Sequence, residues 1–373
     1  MKLVFLGTGS CYPTQCRGVS CTALQLGSGE VWIFDCGEGS QVQIQRSSVK
    51  PGRISKIFIT HLHGDHVFGL PGLLCSIGTG LDPEKGRNTV VEIYGPQGLR
   101  KFLHTTLGLS GSCLMIRISV TELMPRADMQ PPASGDVYVE HELPEREKLP
   151  VEVAYRQVSV CDGSWNIFKN SDFSVTAAAL KHRVPSFGFV ITESSSPGSL
   201  DTTKLLARGV KPGPVFGRIK RGETVQLETG ELLQPQEFLG PDLPGRRIAI
   251  LGDTCDSSEL VPIGQNIDVL VHEATNENSL QESCIVNGHS TPNMAAKVAM
   301  DCNARNLVLF HVSQRYKPVS ESVETAEETA DDDTEDVRVL EKEAREFLNK
   351  AGRSDINVVV AHDFYEFVVL RPK

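Results

Sequence analysis

The sequence predicts a layered α/β fold spanning the whole chain, residues 1–373, as a single domain. Three observations carry this. Short β-branched runs recur from end to end, helix-like stretches separate several of them, and no internal repeat appears at a fixed period.

Taken in order, strands are expected at 3–6, 23–26, 31–35, 56–60, 90–94, 175–180, 187–191, 248–251, 269–272, 307–311 and 357–360, each a short apolar run. A helix opens at Ser290-Thr291-Pro292 and runs to about residue 300, with Thr291 able to cap it and Pro292 suited to its first position. A second covers 337–348, where Val337, Leu340, Ala344, Phe347 and Leu348 fall on one face. Residues 128–165, rich in Pro, Glu and Gly, read as a surface insertion. Residues 194–245 hold Gly and Pro that interrupt strands and helices alike, and read as a protruding, flexible arm.

Composition narrows the setting. The chain has 373 residues, 40% of them hydrophobic, and no apolar run nears the roughly 20 residues of a membrane helix. Its start, Met1-Lys2-Leu3-Val4-Phe5-Leu6-Gly7, runs into a strand and lacks the parts of a secretory signal, so a cytoplasmic or nuclear location away from membranes is expected. Ten cysteines form no Cys-x-x-Cys pair and suit a reducing compartment. Cys11, Cys16 and Cys21 recur every five residues, a spacing expected of buried thiols rather than of one metal's ligands. The net charge of −10 argues at first against nucleic acid. All but one unit of it, however, comes from nine Glu and Asp between Glu321 and Asp336. That run buries nothing and repels itself, so 319–337 reads as an acidic, disordered insertion. The body is close to neutral.

The densest chemical signal is His61-Leu62-His63-Gly64-Asp65-His66, four potential ligands in six residues at a strand end. Imidazoles and a carboxylate suit Zn²⁺, and Gly64 lets the backbone turn between them. Four ligands this close divide naturally between two ions, and a pair about 3.5–4 Å apart can clamp both oxygens of an in-line displacement. Further ligands should come from other strand ends, where His182, Asp253 and His311 stand. Two competing readings fail on residues. Gly7-x-Gly9 lacks the third glycine of a dinucleotide loop, because Tyr12 is there, and His272-Glu273-Ala274-Thr275-Asn276 lacks the second His of a helical metalloprotease.

The His-x-His-x-Asp-His run with distant His, Asp and His resembles the metallo-β-lactamase superfamily, as do Gly7-Thr8-Gly9 and Asp35-Cys36-Gly37 near the start. That resemblance spans the chain. It implies an αββα sandwich with the site along one edge of the sheets, His61, His63 and His182 holding one zinc, Asp65, His66 and His311 the other, and Asp253 bridging. The superfamily hydrolyses several ester classes, so the metals leave the substrate open.

Three further segments are similar to the short-form tRNase Z family: His272-Glu273-Ala274-Thr275, Gly288-His289-Ser290-Thr291 before a capped helix, and Lys211-Pro212-Gly213-Pro214-Val215-Phe216-Gly217-Arg218-Ile219-Lys220-Arg221-Gly222 between His182 and Asp253. The last resembles that family's Gly-Pro arm motif, with Gly213, Pro214 and Gly217 at its centre. Lys204, Arg208, Lys211, Arg218, Lys220 and Arg221 stand there with no acidic residue among them, as sequence-tolerant phosphate contacts require. The first loop reads Pro13-Thr14-Gln15-Cys16-Arg17-Gly18 where many members have Pro-x-Lys-x-Arg-Asn, so two of the residues associated with sensing a CCA end differ. Arg17 is expected to contact phosphate, and Arg315, in Ser313-Gln314-Arg315-Tyr316 after the last ligand, either to bind RNA or to brace the fold.

The resemblance implies an endoribonuclease with two zinc ions per subunit that cuts precursor tRNA just after the discriminator nucleotide. Zinc-activated hydroxide would attack, Asp65 would orient it and take its proton, and His289, steadied by Glu273, would protonate the leaving oxygen. A homodimer is implied as well. The alternatives are a glyoxalase II-type thioesterase, which would leave the basic arm and the His289 loop unexplained; another phosphodiesterase of this fold, of which a β-CASP-branch nuclease would need a large additional domain that no stretch here is long enough to form; and a non-catalytic tRNA-binding or scaffolding protein, which should have lost ligands.

Overall fold

A computed structural model describes residues 1–79, 81–129, 149, 151–317 and 335–372. In chain order the first part holds β1 (Lys2–Gly7), β2 (Cys21–Gln25), β3 (Val31–Phe34), α1 (Ser40–Gln45), β4 (Ile54–Phe58), α2 (Gly64–Val67), α3 (Leu70–Ile77), α4 (Pro83–Asn88), β5 (Val90–Pro96), α5 (Leu99–Leu109), β6 (Arg117–Leu123) and β7 (Glu152–Val158). Then come β8 (Trp165–Lys169), β9 (Phe173–Leu180), β10 (Ser186–Glu193), α6 (Thr202–Ala207), α7 (Pro214–Lys220), β11 (Val225–Gln226) and β12 (Leu232–Leu233). The last part holds β13 (Arg247–Leu251), β14 (Val269–Glu273), α8 (Gln281–Val286), α9 (Pro292–Asp301), β15 (Asn306–Phe310), β16 (Tyr316–Lys317), β17 (Glu335–Asp336), α10 (Arg338–Lys350), β18 (Asn357–Val360) and β19 (Glu366–Val368).

The larger of the chain's two compact units covers residues 1–169, 175–191 and 247–369. It is built on two sheets, ordered β19-β1-β2-β3-β4-β5-β6-β7 and β18-β15-β14-β13-β10-β9-β8. In the first, β3 to β7 run parallel and β19, β1, β2 and β3 antiparallel. The strand period of two sorts the side chains. Ile33, Ile57 and Ile93 face outward onto Leu70, Leu73 and Leu74 of α3 and Leu99, Leu103 and Leu107 of α5. Phe34, Phe58 and Tyr94 face inward as a stack with ring centroids 4.8 and 4.9 Å apart, and Phe189 of the second sheet meets Phe58 at 5.3 Å. Helices α9 and α10 cover the other side of the second sheet through Ala295, Ala296, Ala299, Leu340, Ala344 and Leu348. The layers are therefore α, β, β, α, as the sequence implied.

Every expected strand is present. Four that were not expected complete the sheets: β6, β7, β8 and β19. Of the surface insertion expected over 128–165, residues 130–148 and 150 lie outside the described residues; over 152–158 the expectation is corrected, since β7 pairs with β6 as a sheet edge. Its five central side chains are exposed, so no alternating apolar pattern marks it. Thr291 does precede α9 in extended backbone, but its side chain makes no capping hydrogen bond. All ten cysteines are free, yet Cys11 and Cys16 are exposed, against the expectation of buried thiols; only Cys21 of the three is buried. The acidic insertion falls largely outside the described residues, and its described end, β17, pairs with β16. Among the described residues no helix is long and apolar enough to cross a membrane.

The second unit, residues 170–174, 192–246 and 370–373, contains the arm. Glycine and proline here start structure as well as stop it. Gly213 precedes α7 and Pro214 occupies its first turn, where proline costs no hydrogen bond. The β11–β12 hairpin follows, and Leu205, Val210, Ile219, Val225, Leu233 and Phe238 form a small buried core.

Candidate metal centre

The site assembles where strands of both sheets end. β4 is followed by His61, His63, Asp65 and His66, β9 by His182, β13 by Asp253, and β15 by His311. Two glycines make room for it. A Cβ at Gly37 would lie 2.1 Å from the Asp65 carbonyl oxygen, and one at Gly288, whose φ is +78°, would lie 2.6 Å from Nδ1 of His182. Asp35 and His311 hold left-handed backbone at φ 57° and 56°, strain that such sites tolerate when their surroundings enforce it.

All seven predicted ligands converge, in two groups that share Asp253: His61, His63, His182 and Asp253, and Asp65, His66, Asp253 and His311. His63 Nδ1 lies 3.1 Å from His61 Nε2 and 3.2 Å from His182 Nε2. His66 Nε2 and His311 Nε2 are 3.3 Å apart. Asp253 Oδ1 sits 3.2 and 3.3 Å from those two nitrogens. Tetrahedral zinc with Zn–N near 2.0–2.1 Å places neighbouring ligand atoms roughly 3.3 Å apart, so these separations fit the ion. A second observation agrees: Asp253 Oδ1 is buried without a hydrogen-bond partner, an arrangement a protein keeps where something else satisfies the oxygen.

Ligation takes neutral imidazoles and ionised carboxylates, and the electrostatics favour these at His61, His63, His182, Asp253 and Asp65 but not at His66. Burial holds His61 well below the ordinary histidine range and takes His63 down to about 4, with neighbouring imidazoles adding to both. Burial lowers His182 too. Burial also opposes charge on Asp253 and on His66. Nearby imidazoles outweigh it and keep Asp253 well below the carboxylate range, while Asp253 and Asp35 outweigh it and raise His66. Asp65 is likewise depressed, its burial overcome by His311 and His66, and its Oδ2 accepts the Cys11 amide at 2.7 Å.

Four of the rings turn Nε2 inward, and each gives its Nδ1 a separate partner: Thr60 Oγ1 for His61, Asp35 Oδ2 for His66, the Gly288 carbonyl for His182 and Thr275 Oγ1 for His311. Such outer contacts fix ring orientation and tautomer. Sequence reasoning flagged Asp35 and Thr275 only as parts of motifs and missed Thr60, because a hydroxyl beside a ligand carries no signal of its own.

His289 and Glu273 come together beside these groups. His289 Nδ1 is 3.1 Å from Glu273 Oε1, and Glu273 also accepts the amides of Thr254 and Ser290 and the hydroxyl of Thr275. Burial disfavours charge on His289, but Glu273 and Asp253 outweigh it and raise the ring to about 9. His272, next in sequence, is buried against Ser257 and lies outside both groups. The cleft over the site measures about 410 Å³ and is lined by His63, Asp65, Asp253, His289, His311 and Arg183, an arginine the sequence reading passed over.

The other predicted contacts divide. Arg17 is corrected: it is only 1% exposed, donates to Thr8 Oγ1 at 3.0 Å beside Asp363, and offers nothing to a phosphate. Arg315 is exposed. In the arm, Arg208 pairs with Glu231 and Glu237, and Arg218 and Arg221 share Glu223. Lys204 lies near Asp201. Lys211 and Lys220 are exposed.

The sandwich and its His/Asp cluster at the strand ends define a zinc-dependent hydrolase of metallo-β-lactamase fold. Over 368 residues, 98% of this chain and 97% of the relative, it is 42% identical to human zinc phosphodiesterase ELAC protein 1; over 321 residues, 85% and 90%, it is 40% identical to ribonuclease Z of Bacillus cereus (strain B4264). The chain belongs to the ribonuclease Z family, whose short form is the tRNase Z its sequence resembles. The crystal structure of human tRNase Z, short form (ELAC1), covers 99% of this chain and 100% of its own, with a TM-score of 0.64 at 32% identity. The family model for the anti-Pycsar protein Apyc1 also matches, over residues 1–105, which include the His61–His66 loop.

Proposed function

We propose that this chain is a tRNA 3′-processing endoribonuclease that hydrolyses the phosphodiester just 3′ of the discriminator nucleotide, leaving a 3′-hydroxyl on the tRNA and a 5′-phosphate on the trailer. The observation that carries this reading is the cleft in which His289, held by Glu273, stands beside two His/Asp groups that share Asp253.

In this reading His61, His63 and His182 hold one zinc ion, Asp65, His66 and His311 a second, and Asp253 serves both. Bound there, zinc supplies Lewis acidity toward a phosphoryl oxygen and makes water a nucleophile at neutral pH. The side chains do the rest. Asp65, its Oδ2 fixed by the Cys11 amide, orients the attacking water and takes its proton. Glu273 accepts from Nδ1 of His289, so the proton on Nε2 is the one available to the leaving 3′ oxygen. Arg183 in the cleft lining gives the phosphate a positive neighbour.

Affinity for the body of the tRNA is assigned to the arm. Gly213 and Pro214 open α7, Gly217 lies within it, and Arg218 and Lys220 stand in its last turn. Lys204, Arg208, Lys211 and Arg221 flank it, and the exposed ion pairs of Lys204, Arg208 and Arg221 are weak enough to yield to phosphate. Arg315 is an exposed further contact. The family resemblance supports a homodimer in which one subunit's arm grips the tRNA cut by the other, and a cytoplasmic or nuclear location.

The test is product mapping. Labelled precursor tRNA incubated with the purified protein should yield a tRNA ending in 3′-hydroxyl and a trailer beginning with 5′-phosphate. A 2′,3′-cyclic phosphate end would overturn the mechanism.

A further inference from the structure

Two threonines at the site share one geometry. Thr275 Oγ1 lies 2.7 Å from Glu273 Oε2, 3.1 Å from Nδ1 of His311 and 3.1 Å from the His311 carbonyl oxygen. Thr60 Oγ1 lies 2.8 Å from Asp35 Oδ2 and 3.0 Å from Nδ1 of His61. Thr275 is 6% exposed and Thr60 fully buried, so water does not compete.

A hydroxyl has one proton, and an ionised carboxylate only accepts. In each case the short contact to the carboxylate is charge-assisted and takes that proton. The threonine oxygen is then left as an acceptor, and the only hydrogen that can approach it from the ring is on Nδ1. Both rings are thereby fixed as the Nδ1–H tautomer, with the Nε2 lone pair turned toward the other ligands. For His311 these are Asp253 Oδ1 at 3.3 Å, Asp65 Oδ2 at 3.4 Å and His66 Nε2 at 3.3 Å. For His61 the neighbour is His63 Nδ1 at 3.1 Å.

The two carboxylates are not passive anchors. Asp35 Oδ2 also takes Nδ1 of His66 directly, at 2.7 Å, and Glu273 Oε1 takes Nδ1 of His289 at 3.1 Å. Each carboxylate therefore governs two imidazoles, one by direct contact and one through a threonine. We propose that Thr60 and Thr275 are positioning residues, matched hydroxyl bridges that set the tautomer of His61 and His311 from a buried carboxylate already committed to a second histidine. Asp35 in this way ties one metal group to the other, and Glu273 ties the second metal group to His289.

The inference rests on the zinc reading of the cluster. Its test uses zinc-loaded protein labelled with ¹⁵N-histidine, together with T60V, T60S, T275V and T275S. In the wild type, measured also after the zinc is stripped so that no metal on Nε2 dictates the answer, the His61 and His311 rings should show the ¹⁵N shifts of Nδ1–H tautomers. The valine variants keep the side chain's shape and lose the hydroxyl, and should release zinc to a chelator about 10–100-fold faster, the usual effect of removing such an outer partner. The serine variants should stay near wild type. Nε2–H tautomers, wild-type zinc release from the valine variants, or equal losses in serine and valine would each overturn the proposal. Should a valine variant not fold, the wild-type spectrum decides. A wild-type protein that binds no zinc would sink the metal reading itself, whereas zinc held equally by threonine and valine forms would sink only the bridges.

Discussion

Nδ1 of His289 and Oε1 of Glu273 stand 3.1 Å apart with unequal exposure, the histidine side chain 16% open and the glutamate sealed at 0%. A buried carboxylate that already accepts two backbone amides does not move, so the ring it holds does not move either. The direct consequence concerns His289→Ala. Its kcat on precursor tRNA should fall about 10²–10⁴-fold, the usual range for a lost general acid, with bound zinc unchanged. Glu273→Gln should lower kcat and weaken zinc as well, because it also releases Thr275 from its role at His311. Zinc lost from the His289 variant would make that residue a ligand instead, in the third His/Glu grouping the site contains.

Sharing of Asp253 predicts unequal metal losses. Elemental analysis of the wild type should find about two zinc ions per chain. His63→Ala removes a donor from one group only and should leave about one ion bound. Asp253→Ala touches both groups and should leave fewer than one. Equal losses in the two variants would show that Asp253 is not shared.

In the arm, Arg218 and Arg221 are partnered by Glu223, whereas Lys211 and Lys220 are exposed on either end of α7. Reversing Lys211 and Lys220 to glutamate should raise KM for precursor tRNA and flatten its salt dependence by about one unit of slope per lost phosphate contact. Hydrolysis of bis-p-nitrophenyl phosphate should not change. Steady-state kinetics at several salt concentrations on both substrates decides it; equal loss on both would refute the arm's assignment.

Acid stability should depend on Glu152. Burial raises its carboxyl, but two hydrogen bonds from Arg100, both 2.8 Å, and His104 at 3.2 Å outweigh this and take it from 4.5 to about 2. A depressed carboxylate stabilises the fold above its unfolded value and loses that contribution as it gains a proton. Thermal midpoints of the wild type should therefore fall as pH drops from 4.5 toward 2. Glu152→Gln should start lower and vary less in that window. Parallel curves for the two proteins would remove Glu152 from the account.

Much of the fold could be read because each buried strand shows its environment locally. Ile57 and Phe58, or Ile93 and Tyr94, are apolar neighbours that point to opposite buried faces, and such runs stand out in any sequence. β7 has an exposed face on either side and shows no such run, and β19 is three residues long, so neither was legible. The seven His and Asp that converge could be read because such residues at the ends of apolar strands are conspicuous by type. Arg17 misled for the converse reason: its type suits phosphate, while its burial under Asp363 and Thr8 is written nowhere in its own neighbourhood.

The amino-acid sequence alone singled out the seven His and Asp that converge, the alternation that builds two sheets, and the basic character of the arm, since these follow from side-chain chemistry and from periods of a few residues. Only the tertiary structure decided how closely those groups approach one another, which carboxylates and hydroxyls stand behind the histidine rings, and which arginines already have a glutamate. Those properties depend on gaps near 3 Å between groups as far apart in the chain as His66 and His311, 245 positions, and electrostatic and hydrogen-bonding energies change steeply over that distance while sequence separation says nothing about it.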